Sequence, residues 1–141
     1  MKQPLTVLVA VALMALGTLV GCGSSTEPIE SPLSFSGEVG FQGSQSHDFT
    51  VVSTGTIRVD MVRLQGRFID GGAPLGLDLT IGLGIGRPSG TECATRYSVP
   101  VQQGGSVVLG LTGADFCVLV FDGGTLIEGV VAEYTVSVSP G

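Results

Sequence analysis

The chain has 141 residues, a length that indicates one domain. Its 12 acidic residues outnumber its 6 basic residues, and the net charge is −6. This excess of negative charge excludes the basic surface that nucleic-acid binding requires, and it disfavours direct attraction to anionic lipid.

The first 20 residues have the pattern of a signal peptide. Lys2 supplies a positive charge, and residues 5–20 then run for 16 residues without a charged side chain. A membrane-spanning helix needs about 20 apolar residues, so this run is short for one and is typical of the apolar region of a signal peptide. A buried core helix is the alternative, but no later segment is helical enough to bury such a helix.

A cysteine follows the apolar run in the order Leu19-Val20-Gly21-Cys22. This order resembles the lipobox of bacterial lipoproteins. The resemblance implies that diacylglycerol is attached to the Cys22 sulfur, that cleavage occurs between Gly21 and Cys22, and that the new amine usually receives a further acyl chain. Two or more acyl chains hold a protein firmly to a membrane, whereas one holds it only marginally. A free thiol at Cys22 is the alternative.

The lipobox also predicts the location and the domain boundaries of the protein. Residues 1–21 are the predicted signal peptide, and the expected partner of the acylated cysteine is membrane lipid of the bacterial cell envelope. Because Gly23 rather than aspartate follows the cysteine, the resemblance points to the outer membrane in a host with two membranes. Residues 22–32 are small, polar and proline-containing, which predicts a flexible tether, and residues 33–141 form the predicted domain.

From residue 33 onward the apolar residues recur with period two, which predicts strands. Apolar residues alternate with Asp, Thr and Gly over residues 77–85, as expected of a strand with one buried face. Over residues 57–64 the alternation changes phase, which predicts a bulge or a strand buried on both faces. The further predicted strands are Phe35–Phe41, His47–Val52, Thr95–Val101, Ser106–Thr112, Phe116–Phe121 and Tyr134–Val138.

Glycines divide these strands and predict the fold class. Breaks at residues 70–72, 104–105 and 122–124 contain Gly-Gly, two of them after Asp, and such sequences favour tight hairpin turns. No segment after residue 32 has a convincing amphipathic helical pattern. About eight short strands at this spacing predict a single all-β antiparallel sandwich.

The domain also resembles bacterial pre-peptidase C-terminal domains. The matching stretches are HDFTV (47–51), TGTIRVDM (54–61), LGLDLTI (75–81), GADFCVLVFDGG (113–124) and EYTVSV (133–138). Known members are mostly non-catalytic appendages of secreted enzymes. The resemblance therefore implies a small jelly-roll-like sandwich with a non-catalytic role, and because relatives of this sandwich sometimes bind calcium, a calcium site stays open.

Two cysteines remain in the predicted domain, Cys93 and Cys117, which are 24 positions apart. An extracytoplasmic compartment permits disulfides, and an even number of cysteines favours one bridge between them. Cys93 is expected in a loop, whereas the apolar residues on both sides of Cys117 predict a central strand. Free buried thiols and a metal site are the alternatives. The metal site is disfavoured because there is no second cysteine pair and the chain has one histidine.

Few residues have a pattern that indicates catalysis or a cofactor. His47-Asp48 could supply a general base, but GxSxG does not occur, and a surface or strand-end histidine is the simpler interpretation. Residues 82–90 are glycine-rich without phosphate-loop spacing, which favours a strand that runs into a loop. The aspartates could bind calcium, although no DxDxDG loop is present; they are Asp60, Asp70, Asp78, Asp115 and Asp122.

These patterns predict a protein that is not an enzyme and has no resident metal or other cofactor, apart from the calcium alternative. The expected function is a lipid-anchored module for binding or structural display, with a protein or polysaccharide ligand that the sequence does not identify. An accessory or inhibitor subunit of an envelope complex is the first alternative. A small lipid-anchored hydrolase is the second.

Overall fold

A computed structural model describes residues 32–76 and 78–141 of the chain. The predicted signal peptide over residues 1–21 lies outside these residues, and so does the predicted tether over residues 22–32 apart from Pro32. The described residues contain no helix that could cross a bilayer. Their strands are β1 (Leu33–Gly40), β2 (Ser44–Val51), β3 (Gly55–Phe68), β4 (Ile81–Ser89), β5 (Glu92–Val101), β6 (Ser106–Leu111), β7 (Ala114–Phe121) and β8 (Val130–Pro140).

The eight strands form two antiparallel sheets of four. The first sheet has the order β1-β8-β3-β6, and the second has the order β2-β7-β4-β5. Consecutive strands therefore alternate between the sheets, except for β4 and β5, which are neighbours in the second sheet. This is the connectivity of a jelly roll, in which two sheets pack face to face around one core. The predicted jelly-roll-like sandwich is confirmed.

The core lies between the sheets and is made by residues that alternate along each strand. In β8 every second residue is buried, and the residues between them are partly exposed. The buried residues of β8 are Val130, Ala132, Tyr134, Val136 and Val138. Because successive side chains of a strand point to opposite faces, this alternation places one apolar face on the core and one polar face in solvent.

The phase change in the third strand is a bulge, one of the two predicted outcomes. The pairing of β3 with β8 shifts between Met61 and Arg63, so Val62 has no partner in β8. Met61 and Leu64 are buried, whereas Val62 is 56% exposed. The one extra residue moves the buried apolar residues from odd-numbered positions before the bulge to even-numbered positions after it, which is the change visible in the sequence.

The strand predicted over residues 77–85 begins later than expected, at Ile81. Leu77 lies outside the described residues, and residues 78–80 are not part of a strand. The Thr80 carbonyl accepts a hydrogen bond from the Thr125 hydroxyl, and the Thr80 hydroxyl accepts one from Gln102 at 3.2 Å. Thr80 is therefore bound by two loops rather than by a neighbouring strand, which a period-two pattern does not reveal.

The expectation that this strand has one buried face is wrong, because the first six residues of β4 are all buried. The glycines that alternate with its core residues are covered by side chains of neighbouring strands. A Cβ on Gly82 would lie 2.4 Å from the Phe121 ring, and one on Gly84 would lie 2.6 Å from the Thr95 methyl group. Side chains of β5 and β7 thus lie over glycine backbone and close the outer face.

The three glycine-containing breaks do not form hairpins. Residues 70–72, 104–105 and 122–124 lie in connections between strands of different sheets. Each contains a glycine with positive φ, as the turn chemistry requires. The hairpin among the described strands joins β4 to β5 at Gly90, whose φ is 66°. Asp-Gly therefore correctly predicts a sharp change of direction but does not determine which sheet the next strand joins.

The connections divide between two ends of the sandwich. One end, here called the tether end, contains the start of β1 at Leu33 and the last residue of the chain, Gly141, whose N–H donates to Thr56 at 2.7 Å. The connections at residues 52–54, 90–91 and 112–113 lie at this end. The opposite end, here called the distal end, has the connections at residues 41–43, 69–80, 102–105 and 122–129.

Candidate binding cleft

A concave surface of the described domain lies between edge strands of the two sheets. The edge strand of the second sheet, β5, and the edge strand of the first sheet, β6, are joined at the distal end by residues 102–105. Between the two strands is an open cleft of about 800 Å³. This volume falls within the range of about 300–1,000 Å³ that is typical of ligand sites, so the cleft is the candidate functional site.

The bulge in β3 holds the connection that forms the distal wall of this cleft. The Met61 N–H donates to the Gly105 carbonyl at 2.9 Å, and the Gly104 N–H donates to the Met61 carbonyl at 2.7 Å. The Leu64 N–H donates to the side-chain oxygen of Gln103 at 3.0 Å. The pairing of β3 with β6 ends at Asp60, which leaves the following β3 backbone groups free to bind the turn and to fix the position of the adjacent glutamines.

An exposed aromatic ring lies on the β5 wall of the cleft. Tyr97 is paired with Ile85, just as Val99 and Val101 are paired with core residues of β4, so all three side chains lie on the core-facing side of the sheet. Tyr97 is nevertheless 43% exposed, whereas Val101 is buried. The ring belongs to the inner face of the sandwich but remains open to solvent where β5 and β6 separate.

None of the residues that line the cleft carries a charged side chain. They are Thr80, Tyr97, Val99, Pro100, Val101, Gln102, Gln103, Gly104, Gly105, Ser106, Val107 and Val108. A second, smaller hollow of about 210 Å³ lies beside the cleft, shares Thr80, Val99 and Pro100 with it, and is bounded by the Phe121 ring. The polar groups available to a ligand in both hollows are amides, hydroxyls and backbone groups.

The ion pairs of the described domain lie instead on the outer face of the first sheet. Arg67 of β3 is hydrogen-bonded to Glu133 of the neighbouring strand β8 at 2.7 Å and also to Glu38 of β1, beyond β8. Arg58 contacts Asp60 at 2.8 Å. Such surface pairs contribute at most about 1 kcal/mol each. Within these pairs the opposite charges offset each other, and we assign these residues no binding role.

His47, the candidate general base of the sequence, is part of a hydrogen-bond network between the sheets. Its Nε2 lies 2.8 Å from the Tyr134 hydroxyl, which itself donates to the Gln45 side-chain oxygen at 2.8 Å. Burial raises the pKa of Tyr134 to about 12, so its single proton stays in place and Nε2 of His47 must be the donor. The His47 ring also stacks on Phe35, with ring centroids 4.9 Å apart.

This network does not form a catalytic dyad. His47 and Asp48 are consecutive residues of β2 and therefore point to opposite faces of the sheet. Gly37 provides the space for the network, because a Cβ there would lie 2.7 Å from the Tyr134 hydroxyl oxygen. The histidine is thus held as a structural group between the sheets. It lies in the middle of β2 and is half-buried, so the prediction of a surface or strand-end histidine is wrong.

Protonation of His47 should destabilise the fold. Burial lowers the pKa of His47 from 6.5, with partial opposition from the nearby Asp48 charge. As the pH falls below about 6.5, the unfolded chain binds a proton that the folded chain binds less readily, so the free energy of unfolding should decrease. Urea titrations between about pH 7 and pH 5 measure this slope, and the His47→Gln variant should lose it, because the chain has one histidine. A midpoint that is constant or rises over this interval contradicts the assignment.

The five aspartates considered as calcium ligands are dispersed. Asp122 accepts backbone N–H groups on both oxygens, from Gly124, Thr125 and Leu126 on one and from Gln42 on the other. Burial raises its pKa, but these four hydrogen bonds outweigh burial and hold the pKa below its usual value. Asp122 therefore joins two distal connections rather than offering its oxygens to a metal.

Two more of these aspartates are bound by side chains: Asp115 accepts the Thr50 hydroxyl at 2.7 Å, and Asp60 pairs with Arg58. Asp70 and Asp78 lie in the connection between β3 and β4 and are exposed. Over residues 32–76 and 78–141, no group of three or more acidic, histidine or cysteine side chains converges on one point. The calcium alternative therefore finds no ligand cluster among the described residues.

The predicted disulfide is present and joins Cys93 to Cys117, with their Cα atoms 5.8 Å apart. Cys117 lies in β7, an interior strand of the second sheet, as expected. Cys93 was expected in a loop, but it lies in β5 and is paired with Pro88. Gly21 and Cys22, the predicted cleavage and lipidation site, lie outside the described residues.

The cleft was not predicted from the sequence, although one signal for it exists. Residues 97–114 form a stretch without a charged side chain, and Gln102 and Gln103 lie side by side within it. Period-two analysis divides this stretch into two strands and a turn but does not show that the strands belong to different sheets. Comparison with protein-family models finds no match, and a search of curated proteins finds no similar sequence.

Proposed function

We propose that this protein is a lipid-anchored, non-catalytic binding module of the bacterial cell envelope. The observation that carries the proposal is that the chain enters the sandwich at one end and the cleft is closed at the other. The described chain begins at the tether end, whereas the connection between β5 and β6, which closes the cleft, lies at the distal end. A chain anchored at Cys22 would therefore hold this wall of the cleft at the end of the domain that lies away from the bilayer.

The chemistry of the cleft supports a binding role rather than an enzymatic one. General acid–base catalysis needs a side chain such as His, Asp, Glu, Cys, Lys or Tyr beside the substrate. Of these the cleft lining contains only Tyr97, with no histidine, carboxylate, thiol or amine in the lining to act with it. His47 is not part of the cleft lining, and its Nε2 is hydrogen-bonded to the Tyr134 hydroxyl. The resemblance to pre-peptidase C-terminal domains, whose known members are mostly non-catalytic, supports the same proposal.

A role as an accessory subunit of an envelope complex is a second candidate, favoured by a different surface. Four large apolar side chains at the distal end are between 46% and 65% exposed, and clusters of this kind often mark protein interfaces. They are Phe41, Phe68, Ile69 and Ile127. These side chains lie at the same end of the domain as the distal wall of the cleft, so a protein partner and a ligand could both be bound away from the membrane.

The proposed anchor is tested by the Cys22→Ser variant. We expect this variant to incorporate no labelled palmitate and to keep its signal peptide, because the thiol that accepts diacylglycerol is missing. The Cys93→Ser/Cys117→Ser variant is the matched control and should be labelled like the unaltered protein. Fractionation of a two-membrane host should then place the labelled protein in the outer membrane. Labelling that persists in Cys22→Ser would refute the anchor.

A further inference from the structure

The absence of charge in the cleft restricts the class of ligand that it can select. Acidic side chains outnumber basic ones two to one in the chain, yet all twelve lining residues of the cleft are uncharged. A charged ligand buried there would lose hydration without gaining an ionic partner. The lining therefore favours a ligand recognised by hydrogen bonds and apolar contact rather than by charge.

Two glutamine side chains on the distal wall are each held at one end. The Gln102 amide nitrogen donates to the Thr80 hydroxyl, which leaves the Gln102 amide oxygen as an acceptor. The Gln103 amide oxygen accepts from the Leu64 N–H, which leaves the Gln103 amide nitrogen as a donor. These contacts restrict both side chains before any ligand arrives, which reduces the entropic cost of binding.

The exposed Tyr97 side chain supplies apolar contact on the adjacent β5 wall. A pyranose ring has an apolar face of C–H groups and a rim of hydroxyls that both donate and accept hydrogen bonds. An aromatic ring beside neutral amide donors and acceptors is complementary to these two features, and each hydroxyl can be satisfied without an ionic group.

We propose that the cleft binds a neutral oligosaccharide, with Tyr97 contacting the sugar face and Gln102 and Gln103 binding its hydroxyls. This inference rests on the proposed role as an envelope binding module and identifies its ligand class. An extended peptide added to the edge of β5 is disfavoured by two features of that strand. Pro100 has no N–H to donate, and Arg96 forms a bulge that breaks the regular ladder.

Tyrosine fluorescence offers a direct readout of this site. The chain has two tyrosines and no tryptophan, and of the two only Tyr97 is exposed, at 43%, whereas Tyr134 is at 2%. The full-length protein, in a detergent without a sugar headgroup, is titrated with cellohexaose, maltohexaose, mannohexaose and chitohexaose. We expect saturable binding of at least one of them, unchanged in about 1 M salt, where the Debye length is about 3 Å.

Matched variants assign the binding to the cleft. Tyr97→Ala should weaken binding at least about tenfold, whereas Tyr97→Phe, which keeps the ring, should retain most of it. Gln102→Ala should also weaken binding, and Val52→Ala, at the tether end, should not change it; calorimetry provides the readout for the variants that lack Tyr97. Because Tyr97 is exposed, we expect Tyr97→Ala to have the urea midpoint of the unaltered protein. That result would show that the variant is folded.

Three results would overturn the inference. The first is no saturable binding of any of the four sugars, and the second is binding that Tyr97→Ala leaves unchanged. The third is tighter binding of a capped peptide of alternating threonine and valine, which would indicate strand addition. Palmitate labelling at Cys22 is measured on the same preparation. Labelled protein that does not bind sugar refutes the ligand class alone, and unlabelled protein that does bind refutes the anchor alone.

Discussion

Replacement of Gly86 by alanine is expected to lower the free energy of unfolding by about 2–3 kcal/mol, as overpacking of a fixed core does. A Cβ on Gly86 would lie 2.0 Å from the carbonyl oxygen of Ala94 and 2.6 Å from the Cα of Thr95. Both are backbone atoms of the neighbouring strand β5, which cannot move aside as the end of a flexible side chain can. Equilibrium urea unfolding measures the effect as a lower midpoint.

Gly110→Ala is the matched control for this substitution. Gly110 also lies in a strand, β6, but no heavy atom lies within 4 Å of the position that its Cβ would take. Its φ is not in the left-handed region, so alanine should be neutral or should stabilise by about 0.4–1 kcal/mol through the unfolded state. Equal midpoints for the two variants would show that the close approach of β5 to Gly86 does not constrain the sheet.

The sequence predicts the strands well because their information is local. In β8 the buried and exposed residues alternate within a single segment, so the pattern reveals the strand without knowledge of its partners. The bulge at Val62 is visible for the same reason, since the extra residue changes the parity of the apolar positions. The disulfide was predicted from the number of cysteines and the compartment, and this inference also needs no knowledge of which strands are neighbours.

Features that depend on distant segments were not predictable in this way. The outer face of β4 was expected to be exposed because glycines alternate with its core residues, yet Phe121 and Thr95 lie over those glycines. The cleft arises because β5 and β6 belong to different sheets. The sequence of neither strand shows which sheet it joins. The Asp122 oxygens accept N–H groups from two connections, one of them far away in the chain.

Loss of the Cys93–Cys117 disulfide is expected to lower the free energy of unfolding by about 3–4 kcal/mol. The bridge closes a loop of about 25 residues, and the loop-closure entropy that it removes from the unfolded chain corresponds to this value. The domain should stay folded, because the buried core residues remain. The urea midpoint of the oxidised protein is compared with that of the Cys93→Ala/Cys117→Ala variant, and the reduced unaltered protein separates the bridge from the packing of the sulfur atoms.

The structure further predicts that this effect is coupled to Gly86. Cys117 is paired with Gly86 on one side of β4, and Cys93 precedes Ala94, whose carbonyl lies over Gly86 on the other. The disulfide therefore fixes the backbone that an alanine at position 86 would have to displace. In a double-mutant cycle, Gly86→Ala should cost less without the bridge than with it, by about 0.5 kcal/mol or more. Strict additivity would show that β5 is held over Gly86 by the sheet itself and not by the disulfide.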